Sequence, residues 1–520
     1  MCVSWQRKKY LYCSYLKKIN KKIIMKHWSE WISELYRITI PCEFNQLQSQ
    51  IDDAFYNNKA PYVSIKDGMG CNETTMRRIS DALADPKCTV KGLHMYWTPN
   101  IMISNNAIRC LCDGLEKNTS VEGLIMMSGL RNEKDAKEVA RVLRRNGTLK
   151  LLCFQFIGFG YEGAKAIMQS LENNATTCLE IIEFVYGSSM FLSGVSAIAD
   201  AIRRNRLPHT LTSFVLSNIK LGNAGVKQIY DALCFNTTIK SMEIVRSGMD
   251  SRAFEYIDDA YSRGCTCNMD SVCFRYITGF PDAARHLRSL IQRPAIKTFR
   301  LDSCTGMNRD VVENIVQGLE RASRNSLNCR LESFSITDSN LDPLNISKVV
   351  HALKYHVQRI KVLDLSRHHG GISNQGIDTI VEMLRDSRCQ LRKLNLDCCN
   401  ISRRSLVKLF CTLRDKNRTL HTLSLGVVSG GERHNYVGNR CLEKFIHRNR
   451  SLIMDTLSKN KIIRDFGHPE FEPIVDKYPR AKRTTLKPTQ IIALTHCIHK
   501  KKEIHVHPRE WKDIEVEVDD

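Results

Sequence analysis

The 520-residue chain has no run of 18 or more apolar residues, so no transmembrane helix is expected. The early charges Arg7, Lys8 and Lys9 are not followed by an uninterrupted apolar stretch of about 7–15 residues, so no cleavable secretory signal is expected either. Proline is scarce at 13 residues and glycine ordinary at 27, which excludes collagen and low-complexity chains. The 21 cysteines include no C-x-x-C with a matching second pair, which argues against a zinc module. Without export the thiols should stay reduced, and they read as small buried hydrophobes. No G-x-x-x-x-G-K-[ST] is present, and no G-x-G-x-x-G, H-E-x-x-H or G-x-S-x-G stands in a suitable context. These absences assign no catalytic residue, no cofactor and no metal.

What is present is a repeat. Apolar residues recur at i, i+3 and i+5, from Val90/Leu93/Met95 and Val121/Leu124/Met126 through to Leu391/Leu394/Leu396 and Leu420/Leu423/Leu425. There are twelve such triplets between Val90 and Leu420, a mean spacing of 30 residues, and Ala60/Val63/Ile65 is a weaker thirteenth. The second position is polar in all twelve and charged in ten, as in Lys91, Glu122, Lys150 and Glu180. Alternation of this kind predicts a short strand whose fourth and sixth residues point inward. Between triplets the apolar period lengthens to that of a helix, as in Ala136/Ala140/Leu143 and Val226/Ile229/Leu233. One strand–loop–helix unit cannot bury its own apolar face, so neighbouring units must stack.

The pattern L-x-x-L-x-L, with a helix in each unit of about 30 residues, resembles the leucine-rich repeats of the ribonuclease-inhibitor type. Leu391, Leu394 and Leu396, followed by Cys399 and Ile401, match it best. At position 9, where that family has Asn or Cys, Cys399 and Cys304 fit, whereas Gly129, Ile157, Gly187, Ile219 and His368 do not. The resemblance implies an α/β solenoid, a horseshoe of about 13 repeats with a concave parallel β-sheet and convex helices. The expected organisation is a basic, aromatic N-terminal helical cap or extension over residues 1–59, the solenoid over 60–451, and a C-terminal cap with a charged tail over 452–520. Residues 1–40 would equally suit a membrane-surface or targeting segment, or a chain whose translation starts at Met25.

Asn-x-Ser/Thr sequons at Asn118, Asn146, Asn236, Asn417 and Asn449 each fall three residues before a strand start. That phase-locking reads as a helix C-cap in left-handed conformation rather than as a glycan site.

Repeat positions 3, 5 and 7 are expected on the concave face. In the early repeats that face would be apolar: Tyr96, Ile125, Met127, Leu151, Cys153, Ile181, Val185, Val215 and Val245. In the later repeats it would be charged: Arg275, Arg300, Asp302, Asp364, Lys393, Asn395 and Asp397. Apolar patches with aromatic, Met and Arg anchors suit a protein interface. Cover by the chain's own termini is the alternative.

The net charge of +22 divides as +7 over residues 1–40, +11 over 41–431 and +4 over 432–520. So spread, it favours solubility and an acidic protein partner over nucleic acid. The expectation is a non-enzymatic protein-binding scaffold in the cytoplasm, with the nucleus as the alternative. Two further readings stay open. One is a GTPase activator like the Ran GTPase-activating proteins of this repeat class. The other is the sensing half of a nucleotide-binding leucine-rich-repeat receptor.

Overall fold

The computed structural model describes residues 73–425, apart from 98–102, 129, 187–191, 264–268, 278–280, 325–328 and 369, together with residues 39–41, 55, 62–66, 449, 451–452 and 455–456. The chain forms two compact units, Met1–Leu341 with Gly430–Arg433, and Asp342–Ser429 with His434–Asp520.

The first unit carries parallel strands laid side by side in chain order. They are β1 (Thr39–Pro41), β2 (Tyr62–Lys66), β3 (Gly92–Tyr96), β4 (Gly123–Met127), β5 (Leu151–Gln155), β6 (Ile181–Val185), β7 (Ser213–Ser217), β8 (Ser241–Val245), β9 (Ser271–Arg275), β10 (Thr298–Asp302) and β11 (Ser333–Thr337). From β2 onward each strand occupies repeat positions 3–7, and helices separate successive strands. Equal positions pair in register: Leu93 lies level with Leu124, Leu124 with Leu152 and Leu152 with Ile182. Positions 4 and 6 therefore stack in columns, where Leu152, Ile182, Phe154 and Phe184 are wholly buried. Rings in one column touch across the strands, with Phe154 and Phe184 centred 5.6 Å apart and Phe299 and Phe334 stacked at 5.8 Å. The second unit repeats the plan with β12 (Val362–Asp364), β13 (Lys393–Asn395) and β14 (Thr422–Ser424), and with helices Pro343–Leu353, Asn374–Arg385 and Arg403–Asp415. The fold is a leucine-rich-repeat solenoid.

Helix starts follow capping chemistry. Ser104, Asn132, Asp250, Asp342, Ser373 and Ser402 each accept a hydrogen bond from the first turn of the helix they precede. Adjacent helices approach so closely that Gly114, in helix Asn105–Lys117, has no room for a side chain: a Cβ there would lie 2.5 Å from the Ser80 carbonyl oxygen.

Three findings bear on the sequence reading, and one of them corrects it. Within residues 1–59, expected to form a helical cap or extension, the structure places the strand Thr39–Pro41, with Ile40 level with Ile65. That register makes Leu35/Ile38/Ile40 a further copy of the triplet.

The sequon asparagines do cap, though not in left-handed geometry. Asn118 ends its helix at φ −71°. Its side chain accepts from the N–H groups of Ser120 and Val121 and donates to the Leu83 carbonyl one repeat back. Asn146 accepts from Thr148 and Leu149 and donates to Leu115 and Asn118. Asn236 and Asn417 do likewise with Ile202 and Leu384. All four are buried, so a glycan has no place on them in the folded chain. The left-handed residue is instead position 8: Ser128, Phe156, Tyr186, Asn218, Arg246, Tyr276, Ser303 and Asp338 in the first unit, and Arg367 and Cys398 in the second, have φ between 47° and 65°. Apart from Asp338 and Cys398, their N–H groups bond to position 7 of the next repeat, as from Phe156 to Val185 and from Tyr186 to Ser217, both at 2.8 Å.

The third finding concerns charge. Part of the basic surface stitches helices together: Arg141 meets Asp113 and Glu116 of the preceding helix, Arg145 meets Glu116, and Arg204 meets Glu172. At position 2, Glu122 bridges Lys91 at 3.3 Å and Lys150 at 2.8 Å, and Asp270 pairs with Lys297 at 3.0 Å.

Candidate functional site

In β2–β11, positions 4 and 6 face the helices, so positions 3, 5 and 7 lie on the opposite, outer face of the sheet. Ile125, Leu151, Cys153, Ile181, Val185, Val215 and Val245 come together there as one apolar cluster, with Tyr62, Tyr186 and Tyr276 packed against it. The sequence implied an exposed apolar patch. These side chains are instead buried, with Leu151 the most accessible at 8%. Met127 is part-exposed and Tyr96 nearly buried; burial pushes the Tyr96 hydroxyl up to about 12.

The later strands carry charge, as anticipated, but as a closed network. Arg275 Nη1 donates to Glu243 Oε1 and Arg275 Nε to Asp302 Oδ2, both at 2.9 Å, and all three residues are buried. Thr337 Oγ1 and Ser303 Oγ add donors to Asp302 Oδ1 at 2.8 and 3.2 Å, and Arg300 lies 3.9 Å from Oδ2. In the second unit Asp364, Asn395 and Asp397 are half-buried and linked through serines: Ser366 Oγ donates to Asp364 at 2.7 Å, Asn395 donates to Ser366 and Ser424 donates to Asp397 at 2.6 Å. Lys393 is half-buried beside them.

Sequence reasoning passed over Glu183 and Glu243, although both stand at position 5. Glu183 sits between Ile181 and Val185 on β6, and the register puts it level with Cys153 and Val215. It is 1% exposed, and its Oε2 has no hydrogen-bond partner among the described residues. Burial pushes its carboxyl up to about 7, against the opposing pull of a Cys153 hydrogen bond and the Arg275 charge, while Glu243 adds to the rise. At the end of β5 and β6 the rings of Phe156 and Tyr186, both part-exposed, stack at 4.8 Å and 5°. Farther along, the Arg246 guanidinium lies 3.7 Å above the Tyr276 ring.

The position-9 thiols behave as the repeat requires. Cys399 Sγ donates to the Leu365 carbonyl of the preceding repeat at 3.1 Å, and Cys304 Sγ points at Phe274 and Asp302 carbonyls. Burial raises the Cys304 thiol to about 12 and the Cys112 and Cys399 thiols further still, which keeps them protonated and poor nucleophiles. Among the described residues no group of three His, Cys, Asp or Glu side chains could hold a metal, and no helix is long and apolar enough to cross a membrane. His496, Cys497, His499, His505 and His507 lie outside the described residues.

One glycine spacing does fall between a strand and a helix, contrary to the sequence reading: Gly158, Gly160 and Gly163, after β5 and at the start of helix Tyr161–Glu172. Packing accounts for it. A Cβ on Gly158 would lie 2.4 Å from the Arg131 carbonyl oxygen and one on Gly163 2.6 Å from Phe159, and the Gly158 N–H already bonds to Leu130.

No family model matches the chain. Over 187 residues, 36% of its length, the chain is 23% identical to the human protein named NACHT, LRR and PYD domains-containing protein 14, and it spans only 16% of that relative. Among solved structures, the "Crystal structure of TLR13-ssRNA13 complex" covers 73% of this chain and 48% of its own at 12% identity, with a TM-score of 0.33.

Proposed function

We propose that the chain is a non-enzymatic, ribonuclease-inhibitor-like repeat module that recognises a protein partner through the outer face of its sheet. Residues 60–451 form the recognition module in this reading. The observation that carries it is the apolar cluster on that face, which lies on the side of the sheet that the helices leave uncovered. Its buried members make a stiff floor, and the part-exposed Met127, Phe156, Tyr186 and Tyr276 make the contacting rim. Tyrosine is among the residues that most often anchor protein interfaces, and a stacked repeat loses little conformational freedom on docking. In the second unit, taken by itself, the half-buried Asp364, Lys393, Asn395 and Asp397 offer polar groups to a protein partner.

The test is affinity capture from the native organism at moderate salt, with Met127→Asp, Leu151→Asp and Ile181→Asp compared with the unaltered chain. Loss of captured partners, with the circular dichroism melt preserved for Met127→Asp, supports the reading; unchanged capture by all three sinks it. GTP hydrolysis by small GTPases with and without the protein addresses the activator alternative, and acceleration would replace the scaffold reading. The human relative's name sets LRR beside NACHT and PYD domains, which gives the receptor alternative its support.

A further inference from the structure

Glu183 is out of place in its surroundings. Its strand neighbours on the same face are Ile181 and Val185, and its lateral neighbours are Cys153 and Val215. All four belong to the apolar cluster. The other two carboxylates buried on this face, Glu243 and Asp302, share the Arg275 guanidinium. Glu183 has no such partner: its Oε2 is buried and accepts no hydrogen bond among the described residues. A valine in its place, as at Val185 or Val215, would serve the isolated fold better, because a buried polar atom left unmatched is costly. A polar group retained at such a cost points to a use outside the isolated fold.

The use is indicated by what borders it. Three residues along the same chain, Tyr186 turns out of the strand in left-handed backbone conformation, which is unusual for a bulky residue. Its ring packs against the apolar cluster and stacks on Phe156. Both rings keep part of their surface in solvent, whereas Glu183 does not. A carboxyl with one unmatched oxygen, set among the residues of the apolar cluster that Tyr186 packs against, is complementary to one kind of group. That group is a cation on a long apolar stem, whose charge meets the carboxylate and whose stem and planar head meet the rings.

We propose that Glu183, Phe156 and Tyr186 form an anchor site for a basic side chain, an arginine in particular, presented by an extended apolar segment of a protein partner. Arginine is preferred over lysine because its planar guanidinium can stack on Tyr186 while donating to Glu183. The groups that act on the carboxyl are the Cys153 thiol, which hydrogen-bonds to it, and the charges of Glu243 and Arg275; Arg275 pairs with Glu243 and Asp302. This inference rests on the outer face being a protein-recognition surface and adds the chemistry of its anchor.

The experiment uses the full chain and a dodecapeptide of alternating valine and serine with one central arginine. A second peptide carries citrulline, the uncharged isostere of arginine, at the same place. At pH 8 the arginine peptide is expected to bind about ten-fold or more tighter than the citrulline peptide. Glu183→Gln, which keeps the shape of the side chain, should abolish that preference. Tyr186→Ala should weaken the arginine peptide more than the citrulline peptide. Equal binding of the two peptides, a preference that survives Glu183→Gln, or failure of the arginine peptide to bind overturns the proposal. The two ideas fail separately. Loss of protein capture on Met127→Asp with no arginine preference removes the anchor alone. Unchanged capture removes the recognition face, even if a cation preference remains.

Discussion

Two stretches of one sheet face solve the same problem in different ways. From β4 to β8 seven outer side chains, from Ile125 to Val245, gather into one buried apolar cluster. From β8 to β10 the same face buries charge, and Glu243, Arg275 and Asp302 are held there by pairing. The first solution is forgiving, since a lost methylene leaves a cavity and little else. The second is brittle, since removing one partner strands a charge. Glu183 is the exception that joins them, a carboxylate of the second kind set in surroundings of the first.

The contrast can be pressed from its strongest consequence to its weakest. Arg275→Met removes the guanidinium that the buried Glu243 and Asp302 share and should cost about 3–5 kcal/mol in urea denaturation. Val215→Ala in the aliphatic stretch should cost clearly less, and equal losses would erase the distinction. Glu183→Gln should act in the opposite direction. A carboxyl raised to about 7 from its ordinary 4.5 holds its proton in the folded chain where the unfolded chain has released it, so stability falls as pH rises between those values. The substitution should therefore flatten that slope and stabilise the protein by roughly 2–4 kcal/mol at pH 8. A melt series from pH 4.5 to 8 reads both effects, and an unchanged slope refutes the assignment. Asn236→Ala removes four side-chain bonds at a repeat junction and should cost about 1–3 kcal/mol. Faster amide exchange in Thr238 and Ile239 would localise the damage. Glu122→Gln breaks a part-exposed bridge to Lys91 and Lys150 and should cost at most about 1 kcal/mol. That difference should vanish in 1 M salt.

The repeat was legible because its period is written in the residues that stacking buries. Leu93, Leu124 and Leu152 lie level because nothing else could hold those strands in register. Thr39–Pro41 was not legible, since its triplet is set 25 residues before the weak copy at Ala60 and lies among basic and aromatic residues. The outer face was half legible. Alternation named the right positions, but the charge of Arg275 suggested exposure when its partners stand at Glu243, 32 residues back, and Asp302, 27 residues on. Only the register brings those three together. Glu183 was hidden for the same reason: a glutamate looks like surface until both neighbouring strands are in place. The left-handed turn at position 8 left no trace, because Phe156, Tyr186 and Tyr276 are residues that backbone preference alone would keep out of it.

The asparagine junctions have a consequence for how the chain is made. In each of Asn118, Asn146, Asn236 and Asn417 the amide nitrogen reaches backward, to carbonyls of the repeat already synthesised, while the amide oxygen serves its own repeat. A repeat leaving the ribosome thus carries its own fastening, and the sockets it needs are behind it. Growth from the N-terminal end can lock each unit as it emerges, so the order of synthesis is also an order in which these joints can close.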